Sequence, residues 1–179
     1  MRKICLAALS LLIFFFSFNT SFPQSNVAAA QEISPTPKVN YELPYPGLLP
    51  DSPIYFLRAI RDKTVGFLIS DPKKKAEFDL LQADKRLNAG IYLFSKGKIS
   101  ISISTISKAE NYFEQAIQKI KEAKKQGMDI KDMERKLRTS VKKHQEELGK
   151  LISKVNKDFK GSFEKEYKRV VEFEERLKR

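Results

Sequence analysis

Residues 71–97 read DPKKKAEFDLLQADKRLNAGIYLFSKG and carry the clearest structural signal in the chain. Asp71 followed by Pro72 indicates a helix start, because an aspartate side chain can cap free backbone N–H groups and proline is tolerated in the first turn. The apolar and small residues that follow are spaced alternately four and three apart: Ala76, Leu80, Ala83, Leu87, Gly90 and Phe94. This spacing places them on one side of a helix. The segment therefore predicts an amphipathic helix that opens at Pro72 and is closed by Ser95-Lys96-Gly97.

The neighbouring segments show related signals. Upstream, Asp51-Ser52-Pro53 predicts the start of a first helix that ends near Ser70. Its apolar residues are Ile54, Leu57, Ile60, Phe67, Leu68 and Ile69. Downstream, a third helix is predicted from Ile99 to the Gln126-Gly127 pair. Its apolar side consists of Ile99, Ile103, Ile106, Phe113, Ile117 and Ile120, with Glu110 in one position of that side.

The first turns of the third helix admit two interpretations. Residues 99–104 alternate Ile and Ser, which is the period of a half-buried strand, and both residue types are poor helix formers. A single strand would have no partner to pair with elsewhere in this sequence. We therefore favour a helix for these residues.

The last predicted helix begins at Asp129 and has the heptad spacing of a coiled coil. Its apolar side consists of Leu137, Val141, His144, Leu148, Leu151 and Val155. Beyond these residues the apolar positions move to Phe159, Phe163 and Tyr167, and Gly161 lies inside that shift, so we expect a kink or break there, followed by a segment that runs to Leu177. Together the patterns predict an all-α fold, namely an elongated antiparallel helical bundle or a long helical hairpin with four main helices.

The N-terminus has the three parts of a secretory signal peptide. Arg2 and Lys3 precede an apolar run over residues 4–18, and Ala28 and Ala30 form a small-residue cleavage pattern with the cut before Gln31. We therefore assign residues 1–30 to a signal peptide and expect an extracytoplasmic protein, either secreted or tethered to the outer face of the cytoplasmic membrane. The interval of twelve residues between the apolar run and the cut is long, which leaves an uncleaved membrane anchor as the alternative.

A proline-rich segment separates this leader from the predicted helices. Six of the eight prolines fall within residues 35–53, and this density favours extended backbone over a helix or a sheet ladder. We assign residues 31–50 to a linker and residues 51–179 to one helical domain. The apolar residues in the second half of the linker are expected to lie against the domain: Tyr41, Leu43, Tyr45, Leu48 and Leu49.

Three short segments carry a resemblance to a known family. They are YPGLLPDSPIYFL at residues 45–57, DPKKKAE at residues 71–77 and KHQEEL at residues 143–148. Over residues 44–155 the chain resembles a bacterial extracytoplasmic domain family that is catalogued as a domain of unknown function. The resemblance implies a secreted or membrane-tethered helical domain, and it carries over no catalytic residue.

The composition leaves few groups for catalysis or metal binding. The chain has one Cys and one His, so disulfide frameworks, zinc sites and Cys–His or Ser–His nucleophiles have almost nothing to be built from. His144 occupies a position on the apolar side of its helix, and we expect it to be a partly buried, hydrogen-bonded structural residue. Lys142 and Lys143 would lower its pKa if their charges lie near the ring. We predict no catalytic residue, no metal ligand and no cofactor.

Positive charge is the remaining functional signal. The formal net charge is +12, and the densest pairs are Lys124-Lys125 and Lys142-Lys143. These four lysines are the predicted face for an anionic partner outside the cytoplasm, which could be an envelope protein, a wall polymer or an anionic membrane surface. The alternative interpretation is an ordinary solvated helix face. Nucleic acid is not expected, because aromatic residues in apolar-side positions cannot also stack on bases.

These observations predict a non-enzymatic interaction or structural module of the bacterial cell envelope. The alternative is an extracytoplasmic holdase-type chaperone whose basic coiled-coil arms enclose unfolded clients.

Overall fold

The computed structural model describes residues 38–179, which form five α-helices and no strand. The helices are α1 (Tyr55–Leu68), α2 (Pro72–Ser95), α3 (Ile99–Lys125), α4 (Lys131–Lys154) and α5 (Lys157–Lys178). The all-α class is confirmed. The prediction of four main helices is wrong, because the last predicted helix is divided into α4 and α5. The predicted cleavage residues Ala28, Ala30 and Gln31 lie outside the described residues.

The boundaries of α2 and α3 follow from local chemistry. The Asp71 carboxylate accepts a hydrogen bond of 2.9 Å from the Lys74 N–H, which caps α2 as the sequence predicts. At the other end Gly97 has a φ of +74°. The N–H groups of Gly97 and Lys98 donate hydrogen bonds to the carbonyl oxygens of Phe94 and Leu93, respectively. Gly127, at +77°, closes α3 in the same way. The helix interpretation of residues 99–104 is confirmed.

A close approach between α2 and α3 explains one glycine in the predicted apolar side. The Ser102 hydroxyl of α3 donates a hydrogen bond of 2.7 Å to the carbonyl oxygen of Gly90 in α2. A Cβ atom at Gly90 would collide with Cγ1 of Ile106. The missing side chain therefore lets the backbones of the two helices pack directly against each other.

The break between α4 and α5 is at Val155 and Asn156, five to six residues before Gly161. Both residues have extended backbone, with ψ angles of 151° and 155°. After this break α5 packs against α3 and α4 and buries Phe163, Val170, Phe173 and Leu177. Gly161 lies inside α5 and is exposed, so the expectation of a kink at that glycine is wrong.

Replacing Gly161 by alanine should therefore stabilise the protein by about 1 kcal/mol, because alanine loses less backbone entropy than glycine on forming a helix. A Cβ atom at this position meets nothing within 4 Å, so no clash opposes the gain. Urea denaturation of the wild type and of G161A measures the difference. Gly90→Ala is the matched control and should destabilise the protein, and an unchanged or lower stability of G161A would contradict the continuous helix.

An extended segment, residues 38–50, which we call the N-terminal strap, lies along the helices. The Val39 N–H donates to Glu146 in α4 at 2.8 Å, and the Tyr41 hydroxyl donates to Asp84 in α2 at 2.5 Å. Further along, Asn88 of α2 donates to the Pro44 carbonyl at 2.9 Å. The strap therefore bridges α2 and α4.

The start of α1 differs from the prediction. The residue preceding the helix is Ile54, and no side chain caps this end. The Asp51 carboxylate instead pairs with Lys98, at 2.9 Å, and with Lys96, beside the start of α3. The capping role assigned to Asp51-Ser52-Pro53 is therefore wrong, because the aspartate serves a tertiary ion pair.

Candidate functional site

Four helix residues and one strap residue form a buried polar network around His144. Its Nδ1 lies 3.0 Å from Glu110 Oε1 in α3, and its Nε2 lies 3.1 Å from Asp84 Oδ1 in α2. The Ser140 hydroxyl, one turn before His144 in α4, donates to the same Asp84 oxygen at 2.6 Å. The Tyr41 hydroxyl donates to the other oxygen. The network thus joins α2, α3, α4 and the strap.

The electrostatics of this network favour a charged histidine. His144 and Glu110 are fully buried, and Asp84 is almost so. Burial alone would lower the pKa of His144, but the negative charge of Glu110 and the hydrogen bonds to Asp84 and Glu110 outweigh it and raise the pKa to about 9. The imidazolium therefore lies between two carboxylates as a buried ion triad.

Lys142 and Lys143 do not lower the pKa of His144, because neither lysine charge faces the ring. Lys142 is exposed, and the Lys143 ammonium pairs with Glu147 at 2.8 Å and with Glu146 at 3.3 Å. The hydrogen-bonded role expected for His144 is confirmed, but the residue is fully buried and not partly buried as predicted.

Few chemical roles are open to the side chains of this network. An imidazolium that donates from both nitrogens has no lone pair with which to bind a metal or accept a proton. In residues 38–179 no group of three or more His, Cys, Asp or Glu side chains has a geometry that could hold a metal ion. What the network does supply is a fixed junction between three helices and the strap.

The second candidate site is a row of cations on α4, which we call the α4 basic stripe. It consists of Lys131, Arg135, Arg138 and Lys142. All four are exposed and line a groove of about 550 Å³ together with Val39 and Asn40 of the strap. The spacing of four, three and four residues is readable in the sequence, but the predicted face includes only the densest lysine pairs and so misses three of these four cations.

The four predicted lysines are not gathered in this groove. Lys142 belongs to the stripe, whereas Lys143 is partly buried by its ion pairs. Lys124 and Lys125 lie at the end of α3, and Lys124 approaches Glu134 of α4 at 3.6 Å. Glu134 is the one carboxylate among the residues that line the groove. Arg135 also pairs with Asp132 beside the groove, at 2.7 Å. The four cations still outnumber these two carboxylates, so the stripe retains a net positive charge.

The comparison with known families covers the helix residues of both sites but not their strap residues. A model described as "Domain of unknown function (DUF5667)" matches residues 47–158. This range agrees with the resemblance predicted for residues 44–155 and runs from the strap into the first residues of α5. No curated protein and no solved structure matches the chain significantly. Because the match spans more than half of its length, the chain belongs to the family of domains of unknown function DUF5667.

Proposed function

We propose that the protein is an extracytoplasmic, non-enzymatic helical module of the bacterial envelope, and that its α4 basic stripe binds an anionic polymer. The observation that carries the proposal is the row of four exposed cations in one open groove. The leader pattern of residues 1–30 supports the location outside the cytoplasm.

The geometry of the stripe favours a linear partner over a compact anion. From Lys131 to Lys142 the cations extend about 16 Å along the helix axis, at a rise of 1.5 Å per residue. A compact phosphate could reach only one or two of them. A polymer with regularly repeated negative groups, such as a phosphate-containing wall polymer, could contact all four.

Reversing the stripe should weaken binding to such a polymer. The test variant is K131E/R135E/R138E/K142E, and the probe is inorganic polyphosphate at physiological ionic strength. Exposed ion pairs contribute about 0.2–1 kcal/mol each, so losing four should raise the Kd by between about fourfold and several hundredfold. Isothermal titration calorimetry measures the Kd, and circular dichroism checks that helicity is retained.

The matched control is K108E/K121E/K165E/K168E, which makes the same change in net charge at four exposed lysines outside the stripe. If net charge alone attracts the polymer, both variants weaken it equally, and the proposed face is rejected. Absence of binding by the wild-type chain would reject the anionic polymer.

The holdase remains the second candidate function. The observation that favours it is the number of large apolar side chains exposed in α1, among them Phe56, Ile60 and Phe67. A holdase should suppress the heat-induced aggregation of an unrelated client at stoichiometric ratio and should form a small oligomer, whereas a simple module should do neither.

A further inference from the structure

Helix α1 packs its polar side against the rest of the protein, although its hydropathy pattern favours burial of the apolar side. Asp62 and Gly66 are buried against the body, and Asp62 is only 3% exposed. The outward face carries five large apolar side chains: Phe56, Leu57, Ile60, Phe67 and Leu68. Phe67 is 86% exposed, and the other four are each more than half exposed. A surface helix normally buries such a stripe and exposes its charges.

Specific contacts hold α1 in this orientation. The Asp62 carboxylate lies 2.7 Å from Arg61 Nη2, 3.6 Å from Arg58 Nε and 3.7 Å from Arg86 Nη2 of α2. Arg86 in turn stacks over the Tyr112 ring of α3 at 4.2 Å. Rotating α1 to bury its apolar face would expose Asp62 and separate it from Arg86. These contacts therefore favour the orientation in which the apolar face points outward.

Gly66 supports the same orientation. A Cβ atom at this position would lie 3.0 Å from Phe78 Cε1 and 3.1 Å from Lys75 Nζ of α2. A residue with a larger side chain could not sit against α2 without moving these neighbours. The small residue and the buried ion pair thus mark the docked side of α1, and the apolar residues mark its free side.

Cations surround the apolar face. Arg61 and Lys63 lie on α1 itself and are exposed, and Lys73 and Lys74 follow at the start of α2. The groove beneath α1 is lined by Lys63, Lys75, Lys108 and Lys119. Asp62 is the one carboxylate among its lining residues, and three arginines already pair with it. Lys75 pairs with Asp79 and Lys119 with Glu122, each at 2.7 Å, whereas Lys63 and Lys108 have no ion-pair partner among the described residues. The apolar face is therefore bordered by a net positive charge.

We infer that α1 lies on the surface of an anionic lipid bilayer, with its apolar face at the boundary between headgroups and acyl chains. Its 14 residues extend about 21 Å, which is shorter than the hydrocarbon core of a bilayer. Within residues 38–179 no helix has the length and apolar character required to cross a membrane. An apolar helix face bordered by Lys and Arg is the pattern of helices that bind in the membrane plane.

The surrounding charge argues for lipid over a second copy of the chain. A twofold contact through α1 would bring Arg61 and Lys63 near their own counterparts, and the one carboxylate of α1 is buried at the opposite side of the helix. Anionic headgroups would neutralise the same cations while the acyl chains receive the apolar side chains. This inference concerns a different surface from the α4 basic stripe and does not depend on it.

A single tryptophan tests the inference locally, because the chain contains none. The full chain carrying F67W is mixed with phosphatidylcholine vesicles with and without phosphatidylglycerol, and with lipids brominated in their acyl chains. We expect the emission to shift to shorter wavelength and to be quenched by the brominated anionic vesicles. V171W places the reporter on α5, which does not pack against α1, and should be neither shifted nor quenched even if residues 1–30 bind the vesicles.

Two charge variants complete the test. I60E/F67E should reduce vesicle partitioning at the α1 face about a hundredfold, because it removes two inserted apolar side chains, as read by a tryptophan at position 56 (F56W). L81E/V171E changes two exposed apolar residues elsewhere and should leave the signal at position 56 unchanged, as should the reversed α4 basic stripe. An unquenched tryptophan at position 67 overturns the inference. The inference is also overturned if the wild-type chain does not bind vesicles and I60E/F67E dissociates a dimer, because the apolar face would then be a contact between copies. The same holds if I60E/F67E abolishes protection of an unfolded client, because the face would then bind clients.

Discussion

His144→Ala is expected to lower the free energy of unfolding by about 3–5 kcal/mol, the usual cost of removing one partner from a buried ion pair. The substitution leaves the carboxylates of Asp84 and Glu110 buried on either side of a cavity without the cation that separates them. Urea denaturation at pH 6 measures the loss. Because Ser140 and Tyr41 still donate to Asp84, the larger part of the penalty should fall on Glu110.

The pH dependence of the free energy of unfolding gives an independent measure of the interaction between His144 and its two carboxylates. The folded-state pKa of His144, about 9, lies above its ordinary value of 6.5. The stability contributed by the charged imidazolium is therefore complete below about pH 6.5 and is lost as the pH rises through 9, by about 3 kcal/mol in all. Burial and Asp84 raise the pKa of Tyr41 as well, so this phenol stays neutral over the same range. H144A should lack the slope between pH 6.5 and 9.

The control is Lys142→Ala, which removes an exposed charge two residues away and should change stability by less than about 0.5 kcal/mol. If H144A lost less than about 1 kcal/mol, or if the wild type were equally stable at pH 6 and pH 9, the buried ion triad would be refuted.

Phe113→Ala should lower the free energy of unfolding by a similar amount, about 3–5 kcal/mol, because it removes a large aromatic ring from a closely packed core. Phe113 of α3 is fully buried. Its ring stacks on Phe173 of α5 at 5.6 Å with the planes almost parallel, and it meets the His144 ring edge-on at 5.0 Å. Losing it would remove one wall of the polar network and loosen the attachment of α5.

Two measurements check this prediction. Urea denaturation gives the overall loss, and hydrogen exchange should show faster amide exchange along α5 than along α2. Phe67→Ala is the matched control, since it makes the same chemical change at an exposed ring, and its stability should stay close to that of the wild type. Equal losses in the two variants would be inconsistent with a core role for Phe113.

The helix boundaries that could be predicted are those with local chemical causes. Asp71-Pro72 at the start of α2, and Gly97 and Gly127 at the ends of α2 and α3, act through their immediate neighbours. The break before α5 was misplaced because Gly161 was weighed above Asn156. Asn156 precedes the helix with Asp158 in its first turn, so polar residues typical of a helix start were the better signal.

The polar network could be predicted only in part. His144 and Glu110 were both recognised in apolar-side positions, and two buried groups of this kind call for partners. Their pairing across 34 residues, and the addition of Asp84 across 60, depend on how three helices pack. Periodicity gives the apolar side of each helix but not the neighbour that it faces.

The orientation of α1 shows the same limit more sharply. Its apolar positions were identified, yet periodicity alone cannot reveal that this side faces away from the body. The deciding contact is between Asp62 and Arg86, which are 24 residues apart and belong to two helices. The contacts that Asp62 and Gly66 make with α2 thus accompany a reversal of the usual relation between hydropathy and burial.

The attachment of the N-terminal strap has a mechanical consequence. Tension applied through the chain ahead of residue 38 would reach the bundle first at the bonds from Val39 to Glu146 and from Tyr41 to Asp84. Because these bonds connect the strap to α4 and α2, two helices would share the force before it could separate α1 from the bundle. The attachment of the strap would therefore protect α1 from a force transmitted through the chain ahead of residue 38.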